Sequence, residues 1–482
     1  MKVPDTLLYS IFQQQDEKIR RNVARKTIEI STGKRIHNLS DDPSATFNVV
    51  NLRKEIAQLS QFSKNRLFAD VNLSYIDFTL GKMSDKVKWL YTKAVQAKNE
   101  IHTADALRSL GIEFREAIDF LLDRANEKLG ENYVFSGSSL TTRPFDENFN
   151  YLGSSEAFNV QIDEANFTEV FPPGERVFTT NVYQMDTLFN SPDSTFGVSG
   201  TMSVSYDSTT VNADYGRGIW YLSAKVSDPD APLSSYGLDG DLVLYDGAMN
   251  EVARISNYGS YSLNDLISQI NTAFGGENVS ASLISNPDGT YTLRISDGDS
   301  PADNFISDTA NNVLESNTPA NFVRILNALM PPEVRAYVHQ VPDGRYTLRL
   351  VPEEDATTLS ISFTGSALGT FSTRNVFQLL GELRDKLLSG LAPDESDLHA
   401  VQRSYDRITT ARSGVGSLLS QVKAQQSVQE NRMDVLKKQK SDSEEADLSE
   451  SIMEYTRYRT AYDALMRIVA DTRDMTILRY LR

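Results

Sequence analysis

Apolar residues recur along this chain in three distinct textures. Leu73, Ile76, Leu80, Met83, Val87, Leu90, Ala94, Ala97 and Ile101 follow one another at alternating steps of three and four. That spacing places a narrow apolar seam on one face of a long helix. Gly81 weakens the helix slightly but sits off the seam. A second stripe of Leu448, Ile452, Tyr455, Tyr462, Met466 and Val469, interrupted by Arg459, predicts a helix near the C-terminus. A looser one, Leu7, Ile11, Ile19, Val23 and Ile30, predicts another near the N-terminus. Residues 131–370 are instead rich in Gly, Pro, Ser, Thr, Asp and Tyr, with short alternating runs that read as strands. The expected fold class is therefore α+β. Long N- and C-terminal helices form a coiled-coil or helical-bundle stalk, and a β-rich head lies between them in sequence.

Punctuation sharpens this picture. Ile30-Ser31-Thr32-Gly33 closes the first helix, with Gly33 free to adopt the left-handed conformation beyond its last turn. Ser40-Asp41-Asp42-Pro43 opens the next: Asp42 caps free backbone N–H groups and Pro43 suits the first helical position. Residues 34–41 are then a connector. In the middle, Pro287-Asp288-Gly289-Thr290-Tyr291-Thr292-Leu293-Arg294-Ile295 recurs as Pro342-Asp343-Gly344-Arg345-Tyr346-Thr347-Leu348-Arg349-Leu350, 55 residues later. The same offset aligns Val279 and Ala281 with Val334 and Ala336, and Ile267, Ile270, Ala273 and Phe274 with Phe322, Ile325, Ala328 and Leu329. Each copy, about 262–299 and 317–355, reads as helix, strand, Pro-Asp-Gly turn and strand, preceded by a β-rich piece around Thr201–Ser256.

Composition narrows the function classes. With no Cys among 482 residues, disulfides, Cys-ligated zinc, iron–sulfur clusters and thiol nucleophiles are excluded. The four histidines, His37, His102, His339 and His399, form no pair at metal-ligand spacing and offer no obvious general base. Residues 1–140 carry 21 basic against 18 acidic side chains and residues 371–482 carry 17 of each, which leaves 10 against 30, a net of −20, between them. That is poor material for binding nucleic acid and good material for a solvated exposed domain. No apolar stretch approaches a membrane span, and Leu7–Phe12 is too short for a signal-peptide core. Gly414-Val415-Gly416 lacks the context of a phosphate loop and reads as small residues permitting close helix approach. Asp297, Asp299, Asp303 and Asp308 partly follow a calcium loop. However, Ala302 replaces its glycine and Asp308 its final glutamate, so the segment reads as an acidic turn. No catalytic, cofactor-binding or metal residues are assigned.

Ile30-Ser31-Thr32-Gly33-Lys34-Arg35-Ile36, followed by Leu39-Ser40-Asp41-Asp42-Pro43-Ser44-Ala45, resembles the N-terminal signature of the flagellin superfamily. Pro43 follows the form carried by its hook–filament junction branch, the hook-associated protein 3 family, where flagellins usually carry Ala-Ala-Gly. Asn132-Tyr133-Val134-Phe135-Ser136-Gly137-Ser138, running to Pro144-Phe145, is similar to a Tyr-x-Phe-Ser-Gly segment of the same branch. So are Tyr151-Leu152-Gly153 with Val160, Ile162, Gly174, Val177 and Phe178. Ala411–Gly416 and Asp447 through Asp463-Ala464 to Leu481 resemble its C-terminal helices.

The resemblance implies a non-enzymatic structural protein of the bacterial flagellum, located outside the cell and exported by the flagellar type III apparatus without a cleaved signal peptide. It implies a homo-oligomeric ring between hook-associated protein 1 and flagellin, an export chaperone, and neither nucleic acid nor membrane insertion. A filament-forming flagellin is the alternative reading. A surface adhesin or glycan-binding protein, with Tyr291 and Tyr346 stacking on sugars, is a more remote one. The expected divisions are 1–42 (assembly and export helix), 43–180 (stalk with a β-hairpin region), 181–370 (inserted exposed domain), 371–440 (stalk) and 441–482 (assembly helix). The residues expected to carry packing and assembly are Ser31, Thr32, Gly33, Lys34, Arg35, Ser40, Asp41, Asp42 and Pro43. They are joined by seam positions Leu73, Ile76, Leu80, Met83, Val87 and Leu90, and by Leu448, Ile452, Tyr455, Tyr462, Met466 and Val469.

Overall fold

A computed structural model of the chain describes residues 5–38, 42–99, 102–206, 209–299, 302–354 and 358–480. Ser40, Asp41 and Ile101 lie outside the described residues. The helices are α1 (Asp5–Thr32), α2 (Pro43–Asn99), α3 (Ala104–Ala125), α4 (Gly174–Phe178), α5 (Leu263–Ala273), α6 (Pro319–Leu329), α7 (Val376–Leu388), α8 (Glu395–Glu444) and α9 (Leu448–Tyr480). The predicted α+β arrangement is present: long helices at both ends of the sequence and a β-rich middle. The chain divides into two compact units. One comprises Met1–Asp70, Val160–Thr168 and Ser420–Arg482; the other comprises Val71–Asn159 and Glu169–Leu419.

In the larger unit, Leu73, Ile76, Leu80, Met83, Val87, Leu90, Ala94 and Ala97 are all essentially inaccessible to solvent. Every described position of the predicted seam is thus buried, as a three–four spacing requires of a helix wrapped by neighbours. Arg412 reaches Asp77 at 2.9 Å and Ser84 meets Thr409 at 3.4 Å, tying α8 to α2 alongside the seam. Gly414 and Gly416 correct the sequence reading: a methyl group at either would meet no neighbouring atom within 4 Å. Close helix approach occurs at Gly111 instead, where an added Cβ would lie 2.9 Å from Leu388.

The two repeated modules fold as helix, strand, Pro-Asp-Gly turn and strand: α5 with Val279–Ser285 and Tyr291–Asp297, and α6 with Val334–Gln340 and Tyr346–Pro352. Gly289 and Gly344 take φ of +79° and +89° in the two turns, which explains the glycine at both. The strands repeat at an offset of 55, but the helices do not. Ser262 and Thr318 cap α5 and α6. Asn271 and Asn327 each bridge the N–H and C=O of Ala281 and Ala336 respectively. These pairs stand 56 apart, because the loop from helix to strand is one residue shorter in the second module. The helix pairs expected from the sequence (Ile267 with Phe322, and so on) are therefore one position out of register.

The repetition is also larger than the motif. The first module's sheet runs Val279–Ser285, Tyr291–Asp297, Ile219–Leu222, Val313–Glu315; the second's runs Val334–Gln340, Tyr346–Pro352, Thr179–Met185, Phe371–Asn375. Each is accompanied by a three-stranded sheet, Phe305–Asp308, Leu242–Tyr245, Glu251–Ile255 in the first and Leu359–Gly365, Gly200–Tyr206, Thr209–Tyr215 in the second. The order of pairing is identical. The buried Thr292 and Thr347 hydroxyls donate at 2.8 Å to Leu222 and Met185 carbonyls, one staple used twice. The first module is inserted whole into the second, between Tyr215 and α6, and has its own apolar core of Trp220, Leu244, Ile270, Leu293 and neighbours. It leaves and returns at adjacent backbone, where Gly216 N–H donates to the Ser316 carbonyl at 3.2 Å.

Excising residues 217–316 and joining the ends by a short Gly-Ser link is expected to leave the second module folded. Circular dichroism and thermal melting would check it: a retained cooperative transition supports independent nesting, and loss of all cooperative unfolding contradicts it.

Candidate assembly surface

The predicted connector and the C-terminal helices meet in the smaller unit. α1 ends at Thr32, and Gly33 takes φ +68° to turn the chain. The Ser31 and Thr32 hydroxyls fold back onto the Ile28 carbonyl at 3.0 and 2.7 Å. Asp42 accepts from Ala45 N–H at 2.9 Å, which holds its carboxyl below its usual range and opens α2 at Pro43 as expected. The α8–α9 break lies opposite. Arg35 N–H donates to the Glu444 carbonyl at 2.9 Å and Ala446 N–H to the Gly33 carbonyl at 3.0 Å, making a short antiparallel bridge of Lys34 with Glu445.

The Glu444 side chain is the electrostatic centre of this latch. It is nearly inaccessible, yet Lys34 Nζ lies at 2.7 Å and Arg53 Nη2 at 2.6 Å from Oε1. Burial alone would raise the carboxyl; the hydrogen bonds from Lys34 and Arg53 outweigh it and hold the group below its ordinary value. From the latch, α1 and α9 run antiparallel. Glu29, fully buried, accepts from Lys26 at 2.6 Å and from Ser451 Oγ at 3.3 Å. Lys26 also meets Glu454 at 2.8 Å, and Arg20 donates to the Tyr462 hydroxyl at 3.1 Å.

Of the α9 positions singled out from sequence, Tyr455, Tyr462, Met466 and Val469 are half-buried, whereas Leu448 and Ile452 remain exposed. Next to the latch, α9 turns Ser451 and Glu454 toward Glu29 and Lys26, so polar rungs stand where an apolar seam was expected. Leu7, Tyr9, Ile11, Ile28, Met453 and Ile468 are exposed as well.

Within the larger unit, one cluster tests the expectation of no chemistry. Ser396 Oγ and Asp394 lie 2.9 and 3.2 Å from His339 Nδ1. Both face the same ring nitrogen, while the Glu382 carboxylate lies 3.8 Å from Nε2. Lys386 Nζ sits 2.6 and 2.7 Å from Asp394 and Asp397, taking the place a metal would need among these carboxylates. Arg349 completes the cluster at 2.8 Å from Glu382 and 2.7 Å from Gln184. The buried members of the cluster, Arg349, His339, Lys386, Ser396 and Asp397, tie the second module to α7 and the start of α8, with Asp394 and Glu382 at a partly exposed edge. Burial and the Arg349 charge push the His339 pKa below its ordinary value. Elsewhere, the Asp297, Asp299 and Asp303 carboxylates lie within 4.8 Å of one another. Asp308 is turned away, accepting from Tyr258 and from the Asn312 and Val313 N–H groups, and does not join these three carboxylates.

Comparison with known proteins agrees with the architecture of the N-terminal part. Residues 6–139 match the bacterial flagellin N-terminal helical region. Over 152 residues the chain is 32% identical to the flagellar hook-associated protein 3 of Escherichia coli K12, covering 31% of this chain. That stretch spans about half of the relative, 48% of its length. A flagellin from Aquifex aeolicus is 22% identical over 506 aligned positions, covering 94% of this chain and 92% of that protein. Among solved structures, a FlgL of Xanthomonas campestris is 15% identical with a TM-score of 0.41, covering 81% of this chain and 99% of that one.

Two outcomes follow from these geometries. Glu444→Gln should accelerate proteolytic cleavage within residues 34–42 about tenfold, equivalent to ~1.4 kcal/mol of weakened closure; an unchanged cleavage rate would contradict the latch. For His339, whose folded pKa lies below its unfolded one, the unfolded chain binds the extra proton. Its contribution to stability is therefore complete above about pH 6.5 and declines as the pH falls below it. Thermal melts from pH 8 to 5 should show that decline, and His339→Gln should flatten it.

Proposed function

We propose that this chain is a structural, non-enzymatic subunit of the bacterial flagellum that joins the hook to the flagellin filament. The observation that carries the reading is the latched pair α1 and α9, whose apolar residues Leu7, Ile11, Ile452 and Met453 stay exposed in the single chain. An isolated antiparallel helix pair with polar rungs is marginal, and neighbouring subunits supply the burial it lacks. The match at residues 6–139 and the relative named hook-associated protein 3 support the same role.

In this reading copies of the chain form a ring, with hook-associated protein 1 on one side and flagellin on the other. The chain reaches that place through the flagellar type III apparatus, escorted by an export chaperone, and works outside the cell. The absence of cysteine suits passage through a narrow channel without disulfide formation. Ser31–Arg35, Asp42, Pro43 and the seam positions act in packing and assembly.

Deleting the gene in the source bacterium and examining cells by electron microscopy, with flagellin assayed in the medium, tests this. Bare hooks with flagellin in the medium are expected. Bare hooks with no major flagellin anywhere would make the chain the filament itself, and normal filaments would refute the role. Val469→Asp should likewise block incorporation while leaving the middle folded.

A further inference from the structure

An open sheet ends in a row of backbone N–H and C=O groups that water or another strand must satisfy. Among the described residues, the edge strands Thr209–Tyr215, Val279–Ser285, Val334–Gln340 and Leu359–Gly365 each run for 7 residues. Three of them are guarded. Asn271 and Asn327 occupy the outward N–H and C=O of Ala281 and Ala336, and Asp394 accepts from Gln340 N–H at 3.3 Å. On Thr209–Tyr215, the Tyr221 hydroxyl takes the outward Asp214 N–H at 3.0 Å, and Arg294 holds the Asp214 carboxylate at 2.8 Å. The counterpart of Leu359–Gly365 in the first module, Phe305–Asp308, is short and ends on a carboxylate.

Leu359-Ser360-Ile361-Ser362-Phe363-Thr364-Gly365 carries no charge and no proline. Its first N–H, on Leu359, points away from the neighbouring strand and donates to the Tyr183 hydroxyl at 2.9 Å. Alternation along an antiparallel ladder then turns the backbone groups of Ile361 and Phe363 outward too, while Ser360, Ser362 and Thr364 bond to Gly200–Tyr206. The other side of that sheet agrees, because the outward Asp214 N–H requires the same parity across Gly200–Tyr206. Among the described residues, no group meets the outward N–H and C=O of Ile361 and Phe363. Leu359, Ile361 and Phe363 pack their side chains into the second module's core, and Ser360, Ser362 and Thr364 are exposed. The strand is thus fixed by its core contacts while its outer backbone stays open.

We infer that the open backbone of Ile361 and Phe363 pairs with the same strand of a second copy of this chain, antiparallel and centred on Ile361. In that register the strand is its own complement. Ile361 meets Ile361 and exchanges both backbone hydrogen bonds, and Phe363 N–H donates to the Leu359 carbonyl of the other copy. The Leu359 N–H stays with Tyr183. Leu359 falls opposite Phe363 and Ser360 opposite Ser362, so both apolar cores lie on one side of a continuous sheet. A shift of one residue would set apolar against polar positions. Charge favours the same place: residues 141–370 carry a net of −20, and this neutral edge lets two such domains meet without opposing carboxylates. An isologous contact of this kind joins two copies and stops. It is separate from the contacts that close a ring, and stands or falls independently of the flagellar reading.

The test uses the purified full chain, whose lack of cysteine leaves engineered thiols alone. Ser360 of one copy and Ser362 of the other form a non-hydrogen-bonded pair with Cα atoms about 4.5 Å apart, within reach of a disulfide. Ser360→Cys protein mixed with Ser362→Cys protein should therefore oxidise to a mixed disulfide dimer. Either variant alone places its thiols diagonally and should yield about tenfold less. By sedimentation velocity, the unmodified chain should associate as its concentration rises. Ser360→Lys with Ser362→Lys, both at exposed positions, sets lysine opposite lysine and should weaken that association about tenfold or more. Should the lysine variant fail to fold, the disulfide comparison decides alone. A chain that stays monomeric, an association indifferent to the lysines, or equal disulfide yields from mixed and single variants would each overturn the pairing.

Discussion

The smaller unit depends on one constraint: two helix breaks, far apart in sequence, must hydrogen-bond to each other. Among the described residues, the Gly33 carbonyl accepts from Ala446 N–H and the Arg35 N–H donates to the Glu444 carbonyl. This pairing sets the register of α1 against α9, and the rungs Glu29–Ser451, Lys26–Glu454 and Arg20–Tyr462 follow from it. Of these, Lys26–Glu454 and Arg20–Tyr462 are partly exposed and contribute little individually, whereas Glu29 and Ser451 are buried. The helix pair is therefore directed by its latch more than it is stabilised by its faces, and its exposed apolar residues are left available to neighbours.

The larger unit solves a different problem, that of carrying a long insertion without disturbing the helices that frame it. It does so by nesting. One module opens between a hairpin and a helix to admit a second module of the same topology, and the chain leaves and returns at Gly216 and Ser316. Each module has its own apolar cluster and its own copies of the Asn and Thr staples, although Tyr221 and Leu314 of the first module pack into the core of the second. Where they differ, the difference has a physical consequence. Arg294 pairs with Asp214 at 2.8 Å on a partly exposed surface, whereas its equivalent Arg349 is buried against Glu382 and Gln184. Through Arg349 the second module is stapled to the framing helix α7 at Glu382.

Much of this was legible in the sequence because it is periodic or local. The α2 seam follows from three–four spacing, the modules from two Pro-Asp-Gly hairpins, and the α1 and α2 ends from Gly33, Asp42 and Pro43. What escaped is what discontinuous segments make together. Strands such as Thr179–Met185 and Tyr346–Pro352 pair across more than 150 residues, so the full extent of the duplication left only its central motif in view. Glu444 is one acid among several in Ser441–Glu445, and nothing local distinguishes it until Lys34 and Arg53 arrive. Arg66 reads as an ordinary helix-surface residue; the hairpin carbonyl of Ile162 is what buries it. The α9 stripe misplaced Leu448 and Ile452 because polar rungs, absent from any hydrophobic pattern, decide which face meets α1.

The central claim is that α1 and α9 are closed by the latch but left short of burial until neighbours arrive. Hydrogen–deuterium exchange on the full chain, compared between free protein and isolated flagella, tests it most directly. The account predicts strong protection of the α2 seam in both states, with weak protection of α1 and α9 in free protein rising by orders of magnitude on assembly. Equal, strong protection of α1 and α9 in the free chain would contradict it.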